Sequence, residues 1–140
     1  MGLFNRNKKR QSIYSNEAFD LIKKGTSYLD FNEYDKALEY FNKALEIEPY
    51  NAWALNQKAF VLSIKKRYSE AINLIDLALS KIGIEDEGRF PLLMTKSNAL
   101  LELRRHDDAL ECFDEALKVA PATYDKVKER EEFLKRLERI

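Results

Sequence analysis

Shifting the chain against itself by 34 residues brings Leu21, Tyr28, Tyr34, Ala37 and Ala44 onto Leu55, Leu62, Tyr68, Ala71 and Ala78. Gly25 then falls on Ala59, another small residue, and Phe41 on Ile75. A third copy follows after a step of 38, with Leu93, Ser97, Leu100, Ala109, Phe113, Ala116 and Pro121 in the places of Leu21, Gly25, Tyr28, Ala37, Phe41, Ala44 and Pro49. Size and character agree at each of these positions three times over. Internal repeats of this period imply stacked units, each unable to bury its apolar face without a neighbour.

The unit is clearest from Tyr34 to Asn51. Ala37, Phe41 and Ala44 recur at helical spacing and share one face, two small residues flanking a large one. The small residues let a neighbouring helix approach closely, and Phe41 fills the gap. Pro49 cannot continue the helix and disfavours helical geometry in Glu48, so the helix stops there. Before it, Leu21, Gly25 and Tyr28 form one face of a first helix that ends near Phe31, with Ser15 or Asn16 as cap and Glu17 in the first turn, where the helix dipole favours an acid. The four residues added in the third step fall in the acidic stretch Gly83 to Arg89, as a longer loop or an extended helix end.

Two flanks complete the chain. Met1 to Tyr14 has no helical period and is rich in Asn and basic residues, so residues 1–16 are expected to form a flexible basic arm. After Pro121, Val127, Phe133, Leu134, Leu137 and Ile140 make an apolar stripe backed by charges. An amphipathic helix over residues 124–140 is expected to cover the open end of the last unit.

These residues resemble the tetratricopeptide repeat, a helix-turn-helix unit of this length with small, aromatic and proline positions as above. The resemblance covers about Ala18 to Thr123, with units about 18–51, 52–85 and 90–123. It departs from the family pattern at Leu21, Leu55 and Leu93, where Trp is typical, and at Gly83, where the other units carry proline; apolar bulk and a helix stop are retained. The implied fold is an all-α, right-handed α-α superhelix of seven helices. The resemblance also implies that the first helix of each unit lines the concave side. The first-helix residues not used for packing are then Phe19, Ile22, Lys23 and Thr26; Trp53, Asn56, Gln57, Phe60 and Ile64; and Met94, Thr95, Asn98 and Leu101. Aromatics and Met offer anchors for apolar side chains, and amides offer donors for backbone groups. Trp53 and Phe60 are the expected principal anchors, the alternative being that they pack against the next unit or the cap.

Some members of the family hold the C-terminal carboxylate of a chaperone with Lys, Asn and Arg. The corresponding places here are Ile22, Thr26, Gln57, Pro91 and Thr95. None is basic, so capture of a chaperone tail is not expected, and a more apolar or amide-reading segment of another protein is.

Charge supplies the rival reading. Lys65, Lys66 and Arg67 lie in the turn of the second unit, and Arg104, Arg105 and His106 in that of the third, so they share one rim; Glu46, Glu48, Glu85, Asp86 and Glu87 lie on the other. Basic residues at helix C-termini complement the dipole. They also steer acidic peptides or phosphate backbones, and Arg6, Lys8, Lys9 and Arg10 in the arm would add weak attraction to an anionic membrane surface. The formal net charge of zero and the lack of a nucleic-acid motif favour the local role. Self-association through the groove or cap is a third reading.

Catalysis finds no support. His106 and Cys112 stand six apart with no third partner, and Cys112 reads as a small buried residue. The Glu85–Glu87 run lacks the ligand spacing of a calcium loop, and there is no phosphate-binding glycine loop. No cofactor or metal is expected. One cysteine, no long apolar run and no secretory leader fit a cytoplasmic protein.

Overall fold

The computed structural model describes residues 15–139. Within them lie seven α-helices and no strand: α1 (Asn16–Asp30), α2 (Tyr34–Ile47), α3 (Ala52–Ile64), α4 (Tyr68–Leu79), α5 (Arg89–Glu102), α6 (His106–Lys118) and α7 (Lys126–Arg139). The expected arm, Met1 to Tyr14, and Ile140 lie outside the described residues. Ser15 and Asn16, which the sequence reading places at the arm's boundary, belong to the start of α1.

Helix starts follow side-chain chemistry. Ser15 caps α1, its Oγ accepting from the Ala18 amide at 3.0 Å, and Asn51 caps α3 through Oδ1 and the Ala54 amide at 3.0 Å. These two caps are tied together by Glu48. Its carboxylate accepts from the Ser15 amide at 2.8 Å and from Asn51 Nδ2 at 2.7 Å, joining the beginning of the first unit to that of the second. Pro91 sits in the first turn of α5, where no intrahelical amide is required of it.

The turns within units are one structure used three times. Asn32, Lys66 and Arg104 occupy equivalent places and adopt φ of 59°, 62° and 59°. At each, two amides fold back on the preceding helix. Asn32 donates to Leu29 O and Glu33 to Tyr28 O; Lys66 to Ser63 O and Arg67 to Leu62 O; Arg104 to Leu101 O and Arg105 to Leu100 O, all at 2.8–3.0 Å. This paired 5→2 and 6→1 pattern around a left-handed residue satisfies carbonyls that the helix end leaves free, and it reverses the chain within a few residues.

Packing follows the small–large pairing. Ala37, Phe41 and Ala44 are fully buried with Ile22, Ala54 and Val61; Ala59, Ala71, Ile75 and Ala78 form the next layer, and Ala109, Phe113 and Ala116 the third. A Cβ at Gly25 would stand 2.6 Å from Phe41 Cε1, so the buried Phe41 ring occupies the space that a methyl would need at this crossing of α1 and α2. The longer third step is a loop between Leu79 and Arg89 rather than a longer helix.

The last helix packs on the third unit and departs from expectation at one residue of its stripe. Phe133 is buried and stacks on Phe113 at 4.3 Å with planes 6° apart, and Arg130 forks onto Asp114 at 2.8 and 3.2 Å. Leu137 also packs inward. Val127, expected in the same stripe, is 72% exposed. At 100° per residue it lies about 120° around the helix from Phe133, outside the covered arc.

Candidate partner-binding groove

The first helices make the inner wall. α1 lies against α3 and α3 against α5, whereas the second helices make no mutual contact of comparable extent. The stack therefore curves with α1, α3 and α5 inside. Of the thirteen residues expected to face this groove, the structure brings most onto one surface. Two leave it: Ile22 and Leu101 are fully buried. Ile22 is in the core with Ala54 and Val61, and Leu101 is in the core of the third unit. Helical spacing separates them from the intra-unit face, but Ile22 is covered from the second unit and Leu101 is enclosed in the core shared with Phe133 of α7.

The remaining apolar residues form two sites along α3. At its N-terminal end Phe19 and Trp53 contact each other, with ring centroids 5.6 Å apart and planes at 53°, and Lys23 Nζ stands 5.6 Å from the Phe19 ring centre. Both rings stay open to solvent, Trp53 at 40%. Two turns along, Phe60 is 46% exposed and borders a cavity of about 460 Å³ together with Ile64, Met94, Thr95 and Asn98. Ser63, Lys66, Tyr68, Ala99 and Glu102 complete its lining. Of these the sequence reading places Lys66 on the rim and Tyr68 in the repeat pattern, and none in the groove. Ser63 and Glu102 occupy the same repeat places as Leu101 and Ile64, which is the signal that could have found them.

Between the two sites the polar side chains engage one another. Gln57 Nε2 donates to Thr26 Oγ1 at 3.2 Å, bridging α3 and α1. Thr95 Oγ1 donates to Asn56 Oδ1 at 2.7 Å, bridging α5 and α3. Asn98 Oδ1 accepts from Arg136 Nη1 at 3.2 Å, so α7 flanks the groove. The amides expected to read a ligand thus also lock the units to each other.

The basic rim is substantially self-compensated. Lys65 pairs with Asp35 at 2.6 Å, Arg67 with Glu70 at 2.6 Å and Arg105 with Asp108 at 2.8 Å. Lys66 and Arg104 hold the left-handed turn positions. On the convex side, a cleft of about 360 Å³ carries the Lys96–Asp76 pair at 2.7 Å and is floored by Cys112. The Cys112 thiol donates to Leu93 O at 3.3 Å, and burial pushes its pKa up to about 12, so it stays protonated and unreactive at neutral pH. No cluster of three metal-ligating side chains occurs among the described residues.

Family models for the tetratricopeptide repeat match residues 20–51, 40–73 and 90–123. The chain belongs to the tetratricopeptide-repeat family. Its first and third matched repeats coincide with α1–α2 and α5–α6, and the second begins inside α2 and runs into α4. Tetratricopeptide repeat protein 7B of Homo sapiens is 33% identical over 90 residues, 64% of this chain and 10% of that protein. An uncharacterized protein of Methanocaldococcus jannaschii is 47% identical over 49 residues, 35% of this chain and 57% of its own. The chain thus spans little over half of one relative and a tenth of the other. Among solved structures, the TPR2B domain of yeast Sti1 in complex with an Hsp70 peptide superposes with a TM-score of 0.77 at 18% identity, covering 89% of this chain and 98% of that one. The first such domain of Spaghetti (RPAP3), bound to the HSP90 peptide SRMEEVD, gives 0.74 at 20% identity over 89% and 95%. At these identities the likeness establishes the fold: an all-α tetratricopeptide superhelix.

Proposed function

We propose that this repeat protein is a noncatalytic binding module that takes a segment of another protein along its concave groove. The observation that carries this reading is the open row Trp53, Phe60, Ile64 and Met94 on the inner wall. Trp53, Phe60 and Ile64 are large apolar side chains left in water, Phe60 and Ile64 beside a cavity that the half-buried Met94 helps to line, in a fold whose structural neighbours bind peptides. Leaving them exposed forgoes roughly 25 cal/mol per Å² of apolar surface, a gain recovered when a partner covers them.

The partner is proposed to differ from a chaperone tail. Of the five places named for carboxylate capture, Ile22 is buried and Thr26, Gln57, Pro91 and Thr95 are neutral. The charge-driven alternative, a nucleic acid or anionic membrane held by rim and arm, draws less support from a rim whose Lys65, Arg67 and Arg105 already have carboxylate partners. A reducing cytoplasm as the compartment remains part of the proposal, on the strength of a single buried thiol.

The test is a Trp53→Ala, Phe60→Ala double variant. Both side chains are substantially exposed, so its helical circular dichroism should match the wild type. Partners recovered with the wild type should be lost, and their retention by the wild type should weaken with salt far less steeply than that of a phosphate-backbone ligand. Partners that stay with the variant would contradict the groove; partners shed steeply with salt would favour the charged rim.

A further inference from the structure

We infer, resting on the groove reading above, that the segment this groove accepts is an acidic amphipathic α-helix lying along α3, not an extended peptide. Trp53 and Phe60 are seven residues apart on one helix, two turns and about 10.5 Å of rise. A second helix aligned with α3 presents its own apolar residues at the same seven-residue interval, one to each site.

Spacing alone admits an extended segment with anchors three residues apart, and backbone satisfaction decides against it. An extended chain crossing between the sites buries amide and carbonyl groups that need partners from the groove. The groups there are committed to each other across units, Gln57 to Thr26 and Thr95 to Asn56. Among the described residues, what these bonds leave unused is the Asn56 and Asn98 amino groups and the Gln57 carbonyl, enough for polar side chains but not for a run of backbone. A helix brings its backbone already paired and asks for no more than that.

Charge selects the sign of the partner's flanks. Lys23 beside the Phe19–Trp53 site, Lys66 at the cavity and Arg136 beside Asn98 make no ion pair among the described residues. Each of the three stands within reach of an apolar site, whereas Lys43, Lys96 and Arg130 are held by Glu39, Asp76 and Asp114. Lys66 and Glu102 are the charged residues of the cavity lining, and Lys23 and Arg136 add two cations along the groove. Carboxylates along both sides of an apolar stripe complement that surround.

Four synthetic peptides test this by titration against the full chain, read by Trp53 fluorescence and by calorimetry. The first is a capped, amidated helix of about 16 residues with Phe and Leu seven apart, one central Gln and Glu on both flanks. The second carries Pro at its centre, the third Lys for every Glu, and the fourth is the heptapeptide SRMEEVD with a free carboxylate. The first should bind at least about tenfold more tightly than each of the others and shift the Trp53 emission, with the shift absent in Phe60→Ala. Equal or tighter binding of the Pro-broken peptide or the heptapeptide would overturn the helix, and equal binding of the Lys peptide would overturn the charge assignment. Failure of all four would also overturn it. The groove reading then stands if Trp53→Ala, Phe60→Ala still loses partners that the wild type keeps, and falls with it if those partners persist.

Discussion

Gly25 sits mid-helix, where glycine is normally about 1 kcal/mol worse than alanine, and it is kept by contact rather than by backbone conformation. The Phe41 ring is fully buried and stands 2.6 Å from the place a methyl would occupy. Gly25→Ala should therefore destabilise by about 1–2 kcal/mol net of its propensity gain, measured by urea unfolding. Adding Phe41→Leu should recover part of the contact cost, giving a coupling energy that two unrelated lesions would lack. Cys112 makes a different residue-scale prediction. Burial holds its thiol up to about 12 against an ordinary 9.0. Above pH 9 the unfolded chain loses this proton while the folded chain keeps it, so the contribution to stability is intact below pH 9 and declines as pH rises toward 12. The stability difference between wild type and Cys112→Ala, followed by denaturant titration from pH 8 to 11, should shift against the wild type on the alkaline side. Thiol reagents at pH 8 should label the protein only in denaturant.

At the scale of elements, the reversals after α1, α3 and α5 carry the same left-handed residue but different chemistry. Asn32 tolerates positive φ, while Lys66 and Arg104 hold it at a cost of about 1–2 kcal/mol each, met by the two backbone hydrogen bonds of the turn. Arg104→Gly should raise thermal stability by about 0.5–1 kcal/mol, and Asn32→Gly should be close to neutral, compared by thermal melts. A gain of equal size at both positions would contradict the conformational argument. Of these turns, only Asn32 announces its geometry in the sequence. Lys66 and Arg104 read there as dipole-complementing cations, and their backbone role appears only with the turn itself. The same holds for Glu48, read as part of an acidic rim and found fastening the starts of α1 and α3.

At the scale of the whole molecule the stack transmits disturbance from neighbour to neighbour, since each unit touches only the adjacent ones and α7 rests chiefly on α6. Phe133→Ala removes the ring stacked on Phe113 and should cost about 3–5 kcal/mol at the cap. Hydrogen exchange should then accelerate most in α7, less in α6 and α5, and least in α1 and α2. Uniform acceleration would show a single cooperative block instead.

The sequence by itself determined the repeat register, the helix breaks at Pro49 and Pro121, the small–large pairing that makes the core, and therefore the fold, because these depend on local spacing and side-chain volume. It also named five of the ten residues lining the cavity beside Phe60. Tertiary structure alone decided which side chains are covered: Ile22 disappears beneath Ala54 and Val61, Leu101 into the third core, and Val127 emerges into solvent because α7 turns Phe133 and Leu137 inward. Periodicity assigns a residue to a face of its own helix. Whether that face meets water depends on the crossing of neighbouring helices, and that geometry exists only once the units are stacked.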